Sequence, residues 1–71
     1  MKNSIKVERA RHDLTQEQLA EQIGVSRQTI NSIEKNRYVP STVLALRLSE
    51  VFSLPVNELF VLEEEDRVQT G

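Results

Sequence analysis

The chain has 71 residues, enough for one domain with a small core, and it has no cysteine from which a disulfide or a thiolate metal site could support that core. Its net charge of −2 hides an asymmetry, because residues 1–57 carry eight basic and six acidic side chains whereas residues 58–71 carry one and five; the mildly basic part permits a nucleic-acid partner. The N-terminus is too charged for a signal peptide, and no run approaches the roughly 20 apolar residues of a membrane span, so we expect a cytoplasmic protein without a membrane partner.

The first predicted helix covers about residues 4–12. Val7, Ala10 and Leu14 follow one another at spacings of three and four residues, which predicts one buried stripe along this helix. Asp13 comes directly after the helix, and aspartate tolerates the left-handed backbone that ends many helices. We therefore expect the chain to turn at Asp13 before the next helix begins.

Capping residues mark the second and third helices. Thr15 and Gln18 form a T-x-x-Q capping box, and Gly24 suits the positive φ at which a helix readily ends. Ser26 is the cap of the third helix, and Asn36 is a plausible left-handed stop for it. The inward faces of these two helices are expected at Leu19, Ala20, Ile23, Ile30 and Ile33.

Two further helices complete the predicted bundle. Ser41 caps a fourth helix over about residues 42–53, and Pro55 suits the start of a short fifth helix. Their predicted core residues are Leu44, Ala45, Leu48, Val51, Phe52, Val56, Leu59 and Phe60. No strand-like alternation occurs before residue 60. We expect one domain over residues 1–62 and an acidic, disordered tail over residues 63–71.

The exposed face of the third helix has a composition that folding alone does not explain. At about 100° per residue, one arc of roughly 140° carries Arg27, Gln28, Asn31, Ser32 and Lys35. Solvated faces are usually rich in Glu and Lys, and Asn and Ser are mediocre helix formers. These side chains do suit base edges, because Arg matches guanine, Asn and Gln match adenine, and Ser adapts to either. An ordinary solvated surface is the alternative interpretation.

The short spacing between the second and third helices favours DNA binding. Two short helices joined by a tight turn that contains glycine cross at a steep angle. The first can then lie across a phosphate backbone while the second enters the major groove. The spacing therefore predicts that one helix positions the protein and the other reads the bases.

The segment LTQEQLAEQIGVSRQTINSIEKNRYVPS, residues 14–41, resembles the helix-turn-helix of phage Cro proteins and repressors, a family also named after the xenobiotic response element. The resemblance runs from about residue 5 to residue 60, and the pieces LTQEQLA, GVSRQTI, IEKNRYVPS and VNELF occur in the family's usual order. It implies an all-α, compact five-helix bundle of the lambda-repressor-like type. A short C-terminal strand at Val61 and Leu62 is also expected, because valine favours strands and the fifth helix should end near residue 60. The resemblance also implies a repressor-like transcriptional regulator that binds a palindromic operator as a homodimer.

The resemblance further implies which residues contact double-stranded DNA. Gln16 opens the positioning helix, where family members use a glutamine near a phosphate, and Arg27 and Gln28 sit at the first recognition positions. The loop after the recognition helix lies where the family contacts the DNA backbone. The complete predicted DNA-binding set is Gln16, Ser26, Arg27, Gln28, Thr29, Asn31, Ser32, Lys35, Arg37 and Tyr38.

Three positions depart from the family's pattern. Members commonly have Gly at the position of Asn36 and often at that of Asp13, and many have a small polar cap at the position of Pro55. Asn and Asp tolerate left-handed backbone, so we expect the fold to be retained with a stiffer loop near the phosphates. The start of the fifth helix is less well defined.

Two tertiary contacts are also predicted. Arg9 and Glu34 should form an ion pair, because many relatives pair an arginine and a glutamate at these positions. Apolar residues left after the core is filled should hold two copies together through a short strand that pairs with its symmetry mate, since a lone strand leaves an unpaired edge. The alternative is that this segment folds back onto the fourth helix. The predicted dimer contact consists of Val56, Phe60, Val61 and Leu62.

Other candidate sites have simpler explanations. His12 and Asp13 are adjacent, but the chain has one histidine and no cysteine, so a solvent-facing histidine is favoured over a catalytic pair. The acidic run from Glu63 to Asp66 lacks the spacing of a calcium loop, which favours a solvated charge run. We therefore expect no enzyme activity, metal, cofactor or small-molecule ligand.

A protein-binding role is the competing hypothesis for this chain. An antitoxin-like or accessory module could retain the helix-turn-helix fold without binding DNA. Such a module should carry apolar anchors on the third helix, and the sequence shows none there. We expect no sensor domain in a chain of this length, so a signal would have to act through protein level, a partner protein or competition at the operator.

Overall fold

The computed structural model describes residues 1–68. In chain order its elements are β1 (Lys2–Asn3), α1 (Ile5–Arg11), α2 (Gln16–Ile23), α3 (Arg27–Glu34), α4 (Thr42–Phe52), α5 (Val56–Leu59), β2 (Phe60–Val61) and α6 (Glu64–Arg67). The first five helices correspond to the five that the sequence predicted, and the two strands form one small sheet. The predicted helical bundle with a short C-terminal strand is therefore confirmed. Within the described range, no helix is long and apolar enough to cross a membrane.

Three helices begin at the side-chain caps that the sequence predicted. The Thr15 hydroxyl accepts the Gln18 backbone N–H at 3.0 Å, and the Gln18 side-chain oxygen accepts the Thr15 backbone N–H at 2.8 Å. Ser26 and Ser41 each accept a backbone N–H three residues further on, at 3.1 and 3.2 Å. Such caps stabilise a helix by about 0.5–2 kcal/mol each, which matters for helices this short.

Left-handed residues end the helices or follow them. Asp13, Gly24 and Asn36 have φ angles of 54°, 73° and 59°, as the sequence predicted. Ser53 adopts the same backbone conformation, with φ 54° at the end of α4, and this was not predicted. These four residues allow the chain to reverse direction over short connections.

One apolar core joins the first five helices. Its buried members are Ile5, Leu19, Ala20, Ile23, Ile30, Ile33, Leu44, Leu48, Phe52, Leu59 and Phe60. Ala45, Val51 and Val56, which the sequence also assigned to the core, are partly buried and pack against it. In the part of the chain that the structure describes, every buried side-chain nitrogen or oxygen has a hydrogen-bond partner.

The orientation of α1 corrects the predicted buried stripe. Val7 is 53% exposed and Ala10 is exposed, whereas Ile5 and Glu8 are buried. The reason lies in Arg9, whose guanidinium faces Glu34 at the end of α3. Ile5 precedes Arg9 by about one helical turn and therefore faces inward with it, while Val7 lies on the opposite side of the helix.

The small sheet gives the C-terminal strand a partner within its own chain. β1 pairs antiparallel with β2, with Lys2 opposite Val61 and Asn3 opposite Phe60. The sequence predicted that pairing with a second copy would satisfy the edge of the C-terminal strand, and within the single chain the N-terminal segment already pairs with one edge of it. β1 itself was not predicted, because two residues are too few to show alternation.

The acidic segment after β2 forms ion pairs with the N-terminal amine. The Met1 amine lies 2.8 Å from Glu63 Oε1 and 2.9 Å from Asp66 Oδ2. The carboxylates of Glu63 and Asp66 raise the pKa of this amine above its ordinary value of 8.0. The Glu63 backbone N–H and the amine lower the pKa of the Asp66 carboxyl below 3.8. Residues 64–67 thus form a helical turn where a disordered tail was expected, and residues 69–71 lie outside the described residues.

Candidate nucleic-acid interface

The helices α2 and α3 form a helix-turn-helix whose turn consists of Gly24, Val25 and Ser26. A Cβ atom at Gly24 would lie 3.6 Å from Arg47 Nη1, an ordinary contact, so the left-handed backbone rather than space favours glycine here. Arg47 of α4 donates to the Gln22 carbonyl near the end of α2 at 3.4 Å. The turn is therefore stabilised by Arg47 of α4 as well as by Ser26, which caps α3.

Two clefts flank Gln28 on the exposed face of α3. The first, of about 250 Å³, is lined by Gln16, Arg27, Gln28 and Asn31. The second, of about 300 Å³, is lined by Ser26, Gln28, Thr29, Ser32 and Tyr38. The two clefts together contain eight of the predicted DNA-binding residues. Hydroxyl, amide and guanidinium groups dominate both linings, and these groups can donate hydrogen bonds to base edges and phosphates.

Lys35 and Arg37 lie outside both clefts, exposed in the loop that follows α3. Asn3 is hydrogen-bonded to this loop and to the end of α3. Its side-chain nitrogen donates to the Ile33 carbonyl and to Asn36 Oδ1, both at 2.9 Å. The role of Asn3 was not predicted, because a polar residue close to the N-terminus carries no signal of a contact 30 residues away. The two cations therefore project from a loop whose base is hydrogen-bonded to β1.

The ion pair predicted between Arg9 and Glu34 is confirmed. Arg9 Nε lies 2.8 Å from Glu34 Oε2, and the two side chains are 16% and 6% exposed. Arg9 Nη1 also donates to the Leu14 carbonyl at 2.9 Å. These contacts fix α1 and the connection to α2 against the end of α3.

Gln16 is turned toward α3. Its side-chain nitrogen donates to Asn31 Oδ1 and to Glu34 Oε1, both at 3.2 Å. Gln16 is the first residue of α2, and Asn31 lies in the middle of α3. Both residues were predicted at the interface with DNA, but their mutual contact was not, because it depends on how the two helices cross.

The four residues of the predicted dimer contact differ in exposure. Phe60 is 8% exposed, Val61 50% and Leu62 52%, while Val56 is partly buried. Val56 and Phe60 line an apolar groove beside α4, here called the α4 groove, whose other lining residues are Met1, Val39, Pro40, Thr42, Ala45 and Leu46. Val39 is 70% and Leu46 53% exposed, so the groove opens to solvent in the single chain.

His12 is exposed, as the sequence predicted, and its ring contacts Phe52 of the core. Its ring centroid lies 5.2 Å from that of Phe52 in an edge-to-face arrangement. Its Nδ1 lies 2.9 Å from the Glu8 carbonyl oxygen. The histidine therefore packs the end of α1 against the end of α4, which is a structural role.

Comparison with known proteins agrees with this geometry. The family model described as helix-turn-helix matches residues 5–59, from the start of α1 to the end of α5. A protein of Methanocaldococcus jannaschii, described as an uncharacterized HTH-type transcriptional regulator, is 47% identical over 66 residues, which are 93% of this chain and 100% of the relative. The regulator YgzD of Bacillus subtilis, with the same description, is 50% identical over 66 residues, again 93% of this chain and 100% of the relative. The ImmF control region 10 kDa protein of Bacillus phage phi105 is 36% identical over 59 residues, or 83% of this chain and 66% of the relative.

Proposed function

The chain belongs to the Cro/C1-type helix-turn-helix family of DNA-binding transcriptional regulators, which are not enzymes, and we propose that it represses transcription by binding a palindromic operator as a homodimer. In this proposal α3 enters the major groove and α2 lies across the phosphate backbone. Double-stranded DNA as the partner implies action in the cytoplasm, where an operator would be located. The proposal requires no cofactor or metal.

The exposed face of α3 is the observation that supports this proposal most strongly. The residues around the two clefts of α3 carry hydroxyl, amide and guanidinium groups, while the isoleucines of α3 are buried. A surface that binds another protein would need apolar anchors at its centre. We assign base contacts to Arg27 and Gln28, at the start of α3, and phosphate contacts to Lys35, Arg37 and Tyr38 beyond its end.

Dimerisation is proposed because one recognition helix covers only a few base pairs. Two copies related by a two-fold axis would place a second α3 about 34–36 Å away, one DNA turn along the same face. The α4 groove and the half-exposed Val61 and Leu62 supply an apolar surface for this contact. Since β2 is paired within its own chain, we propose that side chains, and not strand pairing, hold the two copies together.

Selection of bound sequences from random duplex DNA tests the proposed function. The expected result is an enriched palindrome with two half-sites spaced by about 10–10.5 base pairs. A reporter promoter that overlaps this palindrome should lose expression when the protein is supplied. Failure to enrich any sequence would contradict DNA recognition, and a rise in reporter expression would contradict repression.

Sedimentation with a matched pair of variants tests the dimer contact. Leu46 and Val7 are both 53% exposed, but only Leu46 lines the α4 groove. We expect Leu46→Asp, and the double variant Val61→Asp, Leu62→Asp, to sediment as monomers, whereas Val7→Asp stays dimeric like the unmodified protein. If all of them sediment as the same species, the proposed contact is wrong.

The antitoxin-like or accessory alternative uses the same apolar surface for a different partner. In that case the α4 groove would bind another protein, and α3 would have no preferred DNA sequence. The selection experiment separates the two functions, because only a DNA-binding regulator enriches a palindrome. The polar lining of the α3 clefts favours the regulator.

A further inference from the structure

The carboxylate of Glu34 determines how the Gln16 amide is oriented. Both Glu34 oxygens accept hydrogen bonds from Arg9, at 2.8 Å from Nε and 3.4 Å from Nη2, and an ionised carboxylate can only accept. The end of the Gln16 amide that lies 3.2 Å from Glu34 Oε1 must therefore be the nitrogen. With the Glu34 side chain 6% exposed, water cannot easily replace this contact.

The Gln16 amide in turn determines the orientation of Asn31. The Gln16 nitrogen has two hydrogens, and its second partner is Asn31 Oδ1 at 3.2 Å. Both hydrogens are then occupied inside the protein, so this nitrogen has none left for a phosphate. Because the oxygen of Asn31 faces Gln16, the Asn31 nitrogen with its two hydrogens points away from α2, on the arc of α3 that also carries Arg27.

From this chain of contacts we propose that Gln16 is a positioning residue for base readout and not a side-chain contact to phosphate. Asn31 then presents N–H donors to the major groove. Guanine offers two acceptors there, O6 and N7, whereas adenine and thymine offer one each and cytosine none. Recognition of adenine by asparagine also uses the asparagine oxygen, which here is turned toward Gln16. Gln16 thereby selects guanine at one operator position that Gln16 itself does not touch. The inference rests on the proposed function, because it assumes that α3 reads DNA.

Sequence selection with four variants tests the inference in the presence of DNA. The unmodified protein should enrich guanine at one position of each half-site. Gln16→Met removes the donors and should reduce that preference by about fivefold, leaving the other positions unchanged. Asn31→Ala should lose the preference at the same position, and the double variant should show no further loss. Gln22→Met, the same change at an exposed site on α2, should behave like the unmodified protein.

Other outcomes of the selection overturn the inference. If Gln16→Met weakens binding to all sequences equally and keeps every base preference, Gln16 is a phosphate contact. If Gln16→Met and Asn31→Ala alter different positions, Gln16 does not act through Asn31. If the unmodified protein enriches no sequence, the proposed function fails and the inference fails with it.

A measurement without DNA separates the inference from the proposed function. The side-chain amide protons of Gln16 should exchange with solvent several-fold more slowly than those of exposed Gln22, as observed by NMR. In Asn31→Ala, one of the two Gln16 protons should lose its protection. Equal exchange of Gln16 and Gln22 would show that the contacts are not formed in the free protein, and it would overturn the inference even if a palindrome is enriched.

Discussion

Replacing Arg9 by methionine tests the energetic role of the buried ion pair. The substitution keeps the apolar stem but removes the guanidinium that lies 2.8 Å from Glu34 Oε2. Glu34 would then keep its charge in a site where its side chain is 6% exposed, and among residues 1–68 the Gln16 amide would be its remaining side-chain partner. Leaving one member of a buried pair without the other costs about 3–5 kcal/mol.

The expected loss is a large share of the stability of so small a domain, because domains in general unfold with only about 5–15 kcal/mol. For a chain of this length, each kcal/mol lowers Tm by about 4–8 °C, so Arg9→Met should lower Tm by about 12 °C or more. Urea unfolding followed by circular dichroism gives the free energy directly. Lys6→Met, at an exposed position of the same helix, should change the free energy of unfolding by less than about 0.5 kcal/mol.

The double variant Arg9→Met, Glu34→Leu completes the test. It removes both charges together and leaves apolar side chains of similar size, so it should be far less destabilised than Arg9→Met alone. The reasoning is refuted if Arg9→Met unfolds like the unmodified protein. It is also refuted if the double variant is as unstable as the sum of the two single variants, because the loss would then come from packing and not from an unpaired charge.

Three further predictions concern readout, the N-terminus and the turn. Gln28→Ala should weaken the binding free energy by about 1–3 kcal/mol at the preferred site and relax discrimination at particular base pairs. By contrast, Arg37→Ala should weaken binding to all sequences similarly and lower the salt slope by about one. If binding titrations show that Gln28→Ala weakens binding to all sequences equally, the assigned role of Gln28 is contradicted. The ion pairs of the Met1 amine should be complete below pH 8.0 and be lost as pH rises through the raised pKa of the amine. The ion pair of Asp66 should persist above pH 3.8 and be lost only as pH falls through the lowered pKa of its carboxyl. NMR shifts of the β1 amides should therefore change above pH 8.0, and a flat profile there would contradict the contact. Gly24→Ala should destabilise the fold by about 1–2 kcal/mol because φ is positive and Gly24→Asn by less, so equal melting temperatures of the two variants would contradict the backbone explanation.

The fold was predicted well wherever its signals are local. Thr15, Ser26 and Ser41 cap helices because each accepts a hydrogen bond from a backbone group three residues away, and such pairs are visible in the sequence. Asp13 and Asn36 adopt the left-handed backbone for the same local reason. The arc of polar residues on α3 also follows from helical periodicity alone, which is why half of the candidate interface could be named from the pattern, and the family resemblance suggested the other half.

Contacts between distant residues were not accessible in the same way, apart from the Arg9–Glu34 pair that the family resemblance suggested. The rotation of α1, with Ile5 inside and Val7 outside, depends on where α3 lies relative to it. The pairing of β1 with β2 brings together residues almost sixty positions apart. β1 is too short to reveal a strand by its own pattern, and the strand that was predicted at the C-terminus carries no sign of its partner.

Sequence alone determined the local elements of this protein, because helix caps, left-handed turns and amphipathic periodicity each act over a few neighbouring residues. It thereby determined the helix-turn-helix and the chemical character of α3. Only the tertiary structure decided how these side chains are used: β2 pairs within its own chain, and Gln16 donates to Asn31 and Glu34. The physical reason is that a hydrogen bond requires an angle and a distance between groups, and for groups on different helices both are set by the way that the helices pack.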